Sequence, residues 1–384
     1  MNNSWWRSKD ELDDDQRAFI RLPPHGKHAL VGPPGSGKTN LLLLRAQFLA
    51  GKGEKNVLII TYTKALANFI RTGIGASGLI LPNQVRTYHS WASEHVFHFL
   101  GRRAIAKEAD FDDAARADIL ELVIEANSKV PTKKLYSAIF VDEAQDLTVG
   151  EIEVLVALSD NVCICGDARQ SIYQRDGLNV SEKLGLQEHV LKRHYRIGQK
   201  IARVADRLIP AEEGEESLEA TSNYNVKEQG ESSAKMRPCK DRDEQFRQMI
   251  ELIRVQLDAF KGDTIAVFCG TRDTLGEVKA RFGRTDLADV VFVHGVDESA
   301  DFGGGRPIQV MTIHAAKGTE FRAVHIYGAE DLEKFPLNRR RLGYTAVTRA
   351  KTALNVYRTG ETNRPLENAF AEPSHFELDD LFKS

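Results

Sequence analysis

The stretch Gly32-Pro33-Pro34-Gly35-Ser36-Gly37-Lys38-Thr39 matches the pattern G-x-x-x-x-G-K-[ST] in full, and no other feature constrains the fold of this chain as strongly. Such a loop needs a strand before it and a helix after it. The apolar run 28–31 reads as the strand, and 40–49, rich in leucine, reads as a buried helix. Glycines at 32, 35 and 37 let backbone N–H groups curl around a polyphosphate, while the positive end of the helix faces the same charge. On this reading Lys38 reaches the β- and γ-phosphates, the Thr39 hydroxyl ligates Mg²⁺, and Ser36 and Asn40 line the same ATP site. A plain Gly/Pro turn between a strand and a helix is the competing reading, and loop, Lys, Thr and flanks together stand against it.

Further β-α units follow. Residues 56–63 read as a buried parallel strand with a helix over 64–71, and 85–91 as a second short strand ending in polar and aromatic residues. A Tyr or Trp there either stacks on an unpaired base or is buried in the core. Residues 92–134 read as a small helical insertion without recognisable chemistry. The strand 138–141 then runs into Asp142-Glu143-Ala144-Gln145-Asp146. In a phosphate-loop protein that is the expected metal site, with Asp142 holding Mg²⁺ through water and Glu143 taking a proton from the attacking water. The alternative is a solvated acidic turn. After the strand 162–167, Gln170 is placed to sense the γ-phosphate and Tyr173 to face nucleic acid. Upstream, 11–20 reads as a capped helix start, and the Gln16 amide suits both the acceptor and the donor of an adenine edge. The alternation predicts a doubly wound parallel sheet.

Composition changes at about residue 209: 210–240 is rich in Glu, Ser, Gly and Asn and reads as an irregular connection. A second α/β unit follows, with a helix over 242–260 and strands at 264–269, 290–293, 308–312 and 324–327. It has no phosphate loop of its own. Two domains are therefore expected, 1–195 and 196–384, sharing one nucleotide site across their interface. Arg196, after Tyr195 at the junction, and Arg349, on a helix predicted over 344–350, are the cations that domain closure would bring to the γ-phosphate. Such a contact is worth about 10³ or more in rate.

Charge balance argues for local rather than global recognition. The net charge is −3, so any contact with nucleic acid must come from a cleft, with basic clusters at 192–196 and 339–341 as candidates. The acidic runs 10–15 and 212–216 read as solvated faces. No apolar run approaches membrane-spanning length, and the start of the chain lacks the basic and apolar regions of a secretion signal. Four cysteines show neither metal-ligand spacing nor the density of a disulfide scaffold, so a reducing cytoplasm is the expected setting.

Taken together, the ordered motifs resemble the UvrD/Rep-like superfamily 1 helicases over nearly the whole chain. Leu12-Asp13-Asp14-Asp15-Gln16 is similar to the family's adenine-reading motif, and 32–39 and 142–146 to its two nucleotide motifs. Thr61-Tyr62-Thr63 and Thr87-Tyr88-His89-Ser90 resemble the motifs that touch single-stranded DNA, and 166–173 the one linking γ-phosphate to the DNA track. In His194-Tyr195-Arg196 the resemblance implies that Tyr195 stacks on adenine and Arg196 acts as a finger. In 310–321 it implies that Glu320 holds the ribose while Thr312 and His314 face DNA, and in 341–350 that Arg349 is a second finger.

Three departures qualify it. Arg175 replaces a base-stacking Trp, the acidic pair opening the last motif is lost around Asn338 and Arg339, and only about 110 residues separate Arg196 from the strand at 308, enough for one compact domain. Relatives insert a large duplex-contacting domain there; here the short stretch 294–306 takes its place. The resemblance thus implies two RecA-like domains forming a minimal ATP- and Mg²⁺-dependent motor on single-stranded DNA or RNA, travelling 3′ to 5′, with strand contacts at Thr61, Tyr62, Thr87, His89, Tyr173, Thr312 and His314. The alternative is a DNA-gated ATPase switch, the regulatory subunit of a larger assembly with a partner such as a nuclease or a replication or repair factor. A small-molecule kinase leaves the second-half motifs without a purpose. The acidic, partly apolar tail at about 370–384 reads as a frayed terminus or as a docking segment for such a partner.

Overall fold

The computed structural model describes residues 12–74, 78–102, 113–132, 134–167, 177, 180–212, 214–298, 302–335, 339–360 and 364–371. Gln170, Tyr173, Arg175, Asn338 and the segment 372–384 lie outside the described residues.

The first sheet contains β1 (Lys27–Val31), β2 (Val57–Thr61), β3 (Val85–Thr87), β4 (Ala138–Val141), β5 (Val162–Gly166) and β6 (Gln187–Val190), all parallel, in the order β3-β2-β4-β5-β1-β6. The second contains β7 (Ser233–Cys239), β8 (Ile265–Cys269), β9 (Val291–Val293), β10 (Ile308–Thr312), β11 (Phe321–Tyr327) and β12 (Ala350–Thr359), again parallel, in the order β7-β12-β11-β8-β10-β9. Both sheets have the doubly wound α/β architecture expected from the alternation of strands and helices, consistent with the two RecA-like domains that the resemblance implies. Parallel strands buried on both faces must be apolar at successive positions, and they are. Leu58 and Ile60 pack with Trp91 on one face of the first sheet, while Val57 and Ile59 pack with Leu41 and Phe69 on the other.

Register aligns the functional ends of the strands. Val31 pairs with Gly166, Val141 with Ile164, Ile60 with Val141, and Thr61 with Thr87. The phosphate loop, Asp142, Asp167, Tyr62 and the residues after β3 therefore leave the sheet along one edge, where open α/β sheets bind ligands.

The loop helix, Lys38–Gly51, is held to the helix Asp14–Ile20 by a buried cation. Arg45, 1% exposed, donates to the carbonyls of Ile20, Leu22 and Pro23 at 3.2, 3.0 and 2.8 Å. These would otherwise be orphan acceptors beyond a helix end.

Two readings of local structure are corrected. The strand expected over 85–91 stops at Thr87, because the Thr87 hydroxyl accepts from the Ser90 N–H at 3.2 Å and caps a helix, Tyr88–Leu100. Tyr88 and Trp91 turn into the core, so the burial alternative holds for both. The stretch 210–240, expected to be irregular, ends in β7. That strand lies at a sheet edge with most of its side chains half-exposed or exposed, so it keeps a polar composition that hides it from apolar periodicity.

The helical insertion packs Tyr88–Leu100 against Asp113–Lys129, which in turn covers Val149–Val156. There Arg116 and Glu151 form a buried ion pair, and Arg116 also donates to the Tyr62 hydroxyl at 3.1 Å with its guanidinium 5.3 Å from that ring's centroid. Between the domains, Phe302 lies edge-on to Phe69 at 6.0 Å. Gly318, at φ +76°, approaches Leu66 so closely that a Cβ would lie 2.6 Å from its methyls. No helix among the described residues is long and apolar enough to cross a membrane.

Removing one member of a buried pair strands the other charge, at a cost of about 3–5 kcal/mol. Arg116→Met is therefore expected to lower the unfolding free energy measured by urea titration by that order, and Arg116→Met/Glu151→Leu to recover most of the loss. A single variant as stable as wild type would show that the pair is not the anchor of the insertion.

Candidate nucleotide site and strand-facing edge

The site begins where β1 ends. Gly37 caps the loop helix at φ +88°, and Lys38 folds back so that its Nζ donates to the carbonyls of Gly32 and Pro33 at 2.8 and 2.9 Å. Gln16 reaches the loop from the preceding helix: its amide nitrogen donates to the Ser36 carbonyl at 2.9 Å, and its amide oxygen accepts from the Asp13 N–H at 3.2 Å. The Asp13 carboxylate caps that helix by accepting from the Gln16 N–H at 2.7 Å, and also accepts from the Tyr195 hydroxyl. Gln16 and Tyr195 thus meet around Asp13, beside the loop.

Across the mouth of the sheet, the Thr39 hydroxyl donates to Asp142 Oδ2 at 2.8 Å. Asp142 Oδ1 accepts from the Glu143 N–H at 3.0 Å and from the Cys165 thiol at 2.9 Å. Burial, and then the Glu143 carboxylate, push the Asp142 carboxyl up to about 6. Glu143 has φ +54° and is the one non-glycine residue with positive φ among the described residues. Backbone strain of this kind collects at sites where geometry is functional. Gln145 steadies the strained residue: its amide donates to the Glu143 carboxylate, and its oxygen accepts from the Asp167 N–H at 3.1 Å.

These groups fit ATP with Mg²⁺. A hydroxyl and a carboxylate form an all-oxygen donor pair, which suits a hard cation that keeps most of its ligands as water and phosphate. Ser36 Oγ and Asn40 Nδ2 are buried without a hydrogen-bond partner among the described residues, close to where the loop would hold phosphates.

The second domain reaches this loop through its junction. The Tyr195 N–H donates to the Gly35 carbonyl at 3.3 Å, and a Cβ on Gly35 would lie 3.6 Å from the Arg196 Cβ. The Arg196 guanidinium pairs with Glu320, which also has Lys351 at 3.8 Å. Arg349 lies alongside, donating to the Thr319 carbonyl at 3.2 Å and to the Thr345 carbonyl at 3.3 Å. Burial would raise the Glu320 carboxyl, but Arg196, Lys351 and Arg349 outweigh it and hold the group below the usual range. Burial lowers Lys351 to about 8 against the pull of Glu320. Glu320, implied by the resemblance to be a ribose partner, is thus occupied by Arg196, one of the two cations read as fingers.

Among the residues expected to face a strand, exposure divides them. Thr61 has no exposed surface, Tyr62 is 8% exposed under Arg116, and Thr87 is committed to its helix cap. In this arrangement they shape the edge rather than present themselves on it. His89 is half-buried with its ring 5.7 Å from that of Tyr62. Thr312 and His314 are also half-buried: the Thr312 hydroxyl accepts from the Ala315 N–H at 3.3 Å, and the His314 ring lies 5.8 Å from that of Phe335. Burial and then Lys317 lower the His314 pKa.

Sequence reading gave no role to Gln145, Asp146, Cys165 or Lys317. The first two stood inside a quoted motif and could have been questioned there; the partners of Cys165 and Lys317 carry no local signal.

The raised carboxyl of Asp142 sets the sign of a pH effect. The folded chain binds that proton more tightly than the unfolded chain, so without metal it loses stability as pH rises from about 4 through 6. Asp142→Asn is expected to melt above wild type at about pH 7.5 by on the order of 1–3 kcal/mol, the gap closing by about pH 4. Equal melting of the two metal-free proteins at neutral pH would contradict this.

Comparison with known proteins places a family on each half. The family model of the AAA domain matches residues 16–176, and that of the UvrD-like helicase C-terminal domain matches residues 307–357. The ATP-dependent DNA helicase PcrA of Bacillus subtilis (strain 168) is 36% identical over 104 residues, which is 22% of this chain and 14% of that protein. The chain therefore matches only a small part of the length of this curated relative. The structure of the PRRSV helicase is similar at a TM-score of 0.44 and 16% identity, over 93% of this chain and 57% of that one. The chain is thus similar to the AAA domain over much of its first half and to the UvrD-like helicase C-terminal domain over part of its second, in line with the resemblance to the UvrD/Rep-like superfamily 1 helicases read from its motifs.

Proposed function

We propose that this chain hydrolyses ATP in the cleft between its two domains and uses the cycle to move along single-stranded DNA, with 3′ to 5′ travel carried over from the family resemblance. The observation that carries the reading is the meeting of two half-sites. Lys38, Thr39, Asp142 and Glu143 converge at the end of the first sheet, and Arg196 and Arg349 gather around Glu320 on a segment that packs against the same loop.

The roles follow from the geometry. Lys38 would exchange two backbone carbonyls for the β- and γ-phosphates, a stronger charge-assisted contact. Thr39 and Asp142 would hold Mg²⁺, which neutralises phosphate charge when bound. Glu143 would accept the proton of the attacking water, with Gln145 fixing its carboxylate. Gln16 and Tyr195 would flank the base, and Gln170 would sense the γ-phosphate. Arg196 would leave Glu320 for the developing negative charge, freeing that carboxylate for the ribose. His89, Thr312 and His314 would touch the strand directly, over an edge built by Thr61, Tyr62 and Thr87, and Tyr173 is carried over from the family resemblance as a further strand contact. Hydrolysis would open the cleft and shift the grip of one domain relative to the other. The domain division near residue 195 and the cytoplasmic setting belong to the same proposal.

A second reading is favoured by Phe302. Phe302, in the short stretch that stands where relatives insert a duplex-contacting domain, instead packs on the first domain. That suits a strand-gated ATPase switch within a larger assembly.

Glu143→Gln is expected to keep ATP affinity within a few-fold and to lower turnover by about 10² or more, measured as phosphate release. Wild-type turnover is expected to rise on adding a single-stranded oligonucleotide; equal rates with and without it would refute the motor. Strand displacement on a duplex with a 3′ tail separates the two readings, since unwinding by the isolated chain supports the motor and stimulation without unwinding supports the switch.

A further inference from the structure

Resting on the reading above, we infer that Lys317 is a positioning residue for hydrolysis, acting through Asp146 to make Glu143 answer to the strand-facing segment of the second domain. Lys317 Nζ and Asp146 Oδ1 form an ion pair between residues 171 apart in sequence, each side chain 1% exposed. Burying two charges at a domain interface is costly, and apolar residues of similar size would hold the same surfaces together as well or better. A pair retained there is therefore better explained by what it specifies than by what it stabilises.

Asp146 closes a single 3₁₀ turn, Ala144–Asp146, whose first flanking residue is Glu143, and its N–H donates to the Glu143 carbonyl at 2.9 Å. Gln145, inside that turn, grips the Glu143 carboxylate on one side and the Asp167 N–H on the other. A pull on Asp146 is thereby a pull on the strained residue that would activate water. Burial pushes the Asp146 carboxyl up to about 6 against the opposing field of Lys317, so loss of the lysine would leave a group prone to take up a proton and release the turn.

On the other side, Lys317 belongs to a compact turn. The Ala316 N–H donates to the Thr312 carbonyl at 3.1 Å, and the Thr319 N–H to the Ala316 carbonyl at 3.1 Å. Thr312 and His314 stand at the start of this turn, and Glu320, with Arg196, at its end. Gly318 next door presses on Leu66 of the first domain, so the turn has little room to move without moving the ion pair. A strand bound at Thr312 and His314 would shift or fix Lys317, and with it Glu143.

The test compares the full chain with Lys317→Met, Asp146→Asn and the variant carrying both changes, which leaves no unpaired buried charge. Steady-state ATP turnover is measured with and without a poly-dT oligonucleotide, alongside binding of a fluorescent ATP analogue and circular dichroism. Each variant is expected to lose tenfold or more of the strand-stimulated kcat, with KM and analogue affinity within about twofold of wild type. The doubly changed chain is expected to lose no more than either single. Full stimulation in the variants, additive losses, or a fall in analogue binding that matches the fall in kcat would overturn the inference. Wild-type turnover indifferent to the strand would overturn the motor reading and this inference with it, whereas a stimulated wild type matched by its variants overturns the inference alone.

Discussion

The hydroxyl of Thr39 donates to Asp142 across the mouth of the first sheet, and this 2.8 Å contact fixes where everything else must stand. It joins the phosphate loop, carried by β1, to the acidic turn, carried by β4, with β5 running between them. Because the three strands are parallel and in register at their ends, the loop and the turn cannot drift apart without breaking the sheet. Cys165, on the intervening strand, donates its thiol to the same carboxylate, which offsets part of the effect of its burial. The result is a carboxyl that burial and Glu143 make reluctant to ionise alone, the condition under which a divalent cation gains most by arriving.

The second domain poses the opposite electrostatic problem. Arg196, Lys351 and Arg349 crowd one segment, and Glu320 is the counter-charge among them. A carboxylate balances such a cluster only in part, so the cations remain ready to accept a more highly charged partner. On the proposed reading a triphosphate is that partner, and the exchange of Glu320 for phosphate is what turns nucleotide occupancy into a change of domain contact. The two half-sites need each other: one is short of positive charge near its acids, the other short of negative charge among its bases.

Much of this was legible in residue order because the relevant physics is local. A glycine-rich loop between an apolar strand and a helix, and an apolar strand ending in Asp142 and Glu143, announce themselves within a few residues. Strands buried on both faces were read from continuous apolar runs such as 57–61 and 265–269. Of the four edge strands, β3 and β9 were read, but β6 and β7, which keep polar side chains toward solvent and satisfy only one neighbour, were not, and the interior strand β12 was missed as well. The helix beginning at Tyr88 was taken for strand because its aromatic and β-branched start suits either state, and only the Thr87 cap decides between them. Partners far apart in sequence, such as Lys317 and Asp146 or Arg116 and Tyr62, have no periodicity to betray them. Their burial is visible only once the chain is folded.

The account's central claim is that one triphosphate is held from both sides, by the loop of the first domain and by two guanidinium groups of the second. A crystal structure of the full chain with Mg²⁺ and a non-hydrolysable ATP analogue tests it directly. The account predicts Lys38 and at least one of Arg196 and Arg349 within hydrogen-bond distance of the γ-phosphate, with Arg196 parted from Glu320. A nucleotide bound to the loop while Arg196 stays on Glu320 and Arg349 stays on the Thr319 carbonyl would contradict it.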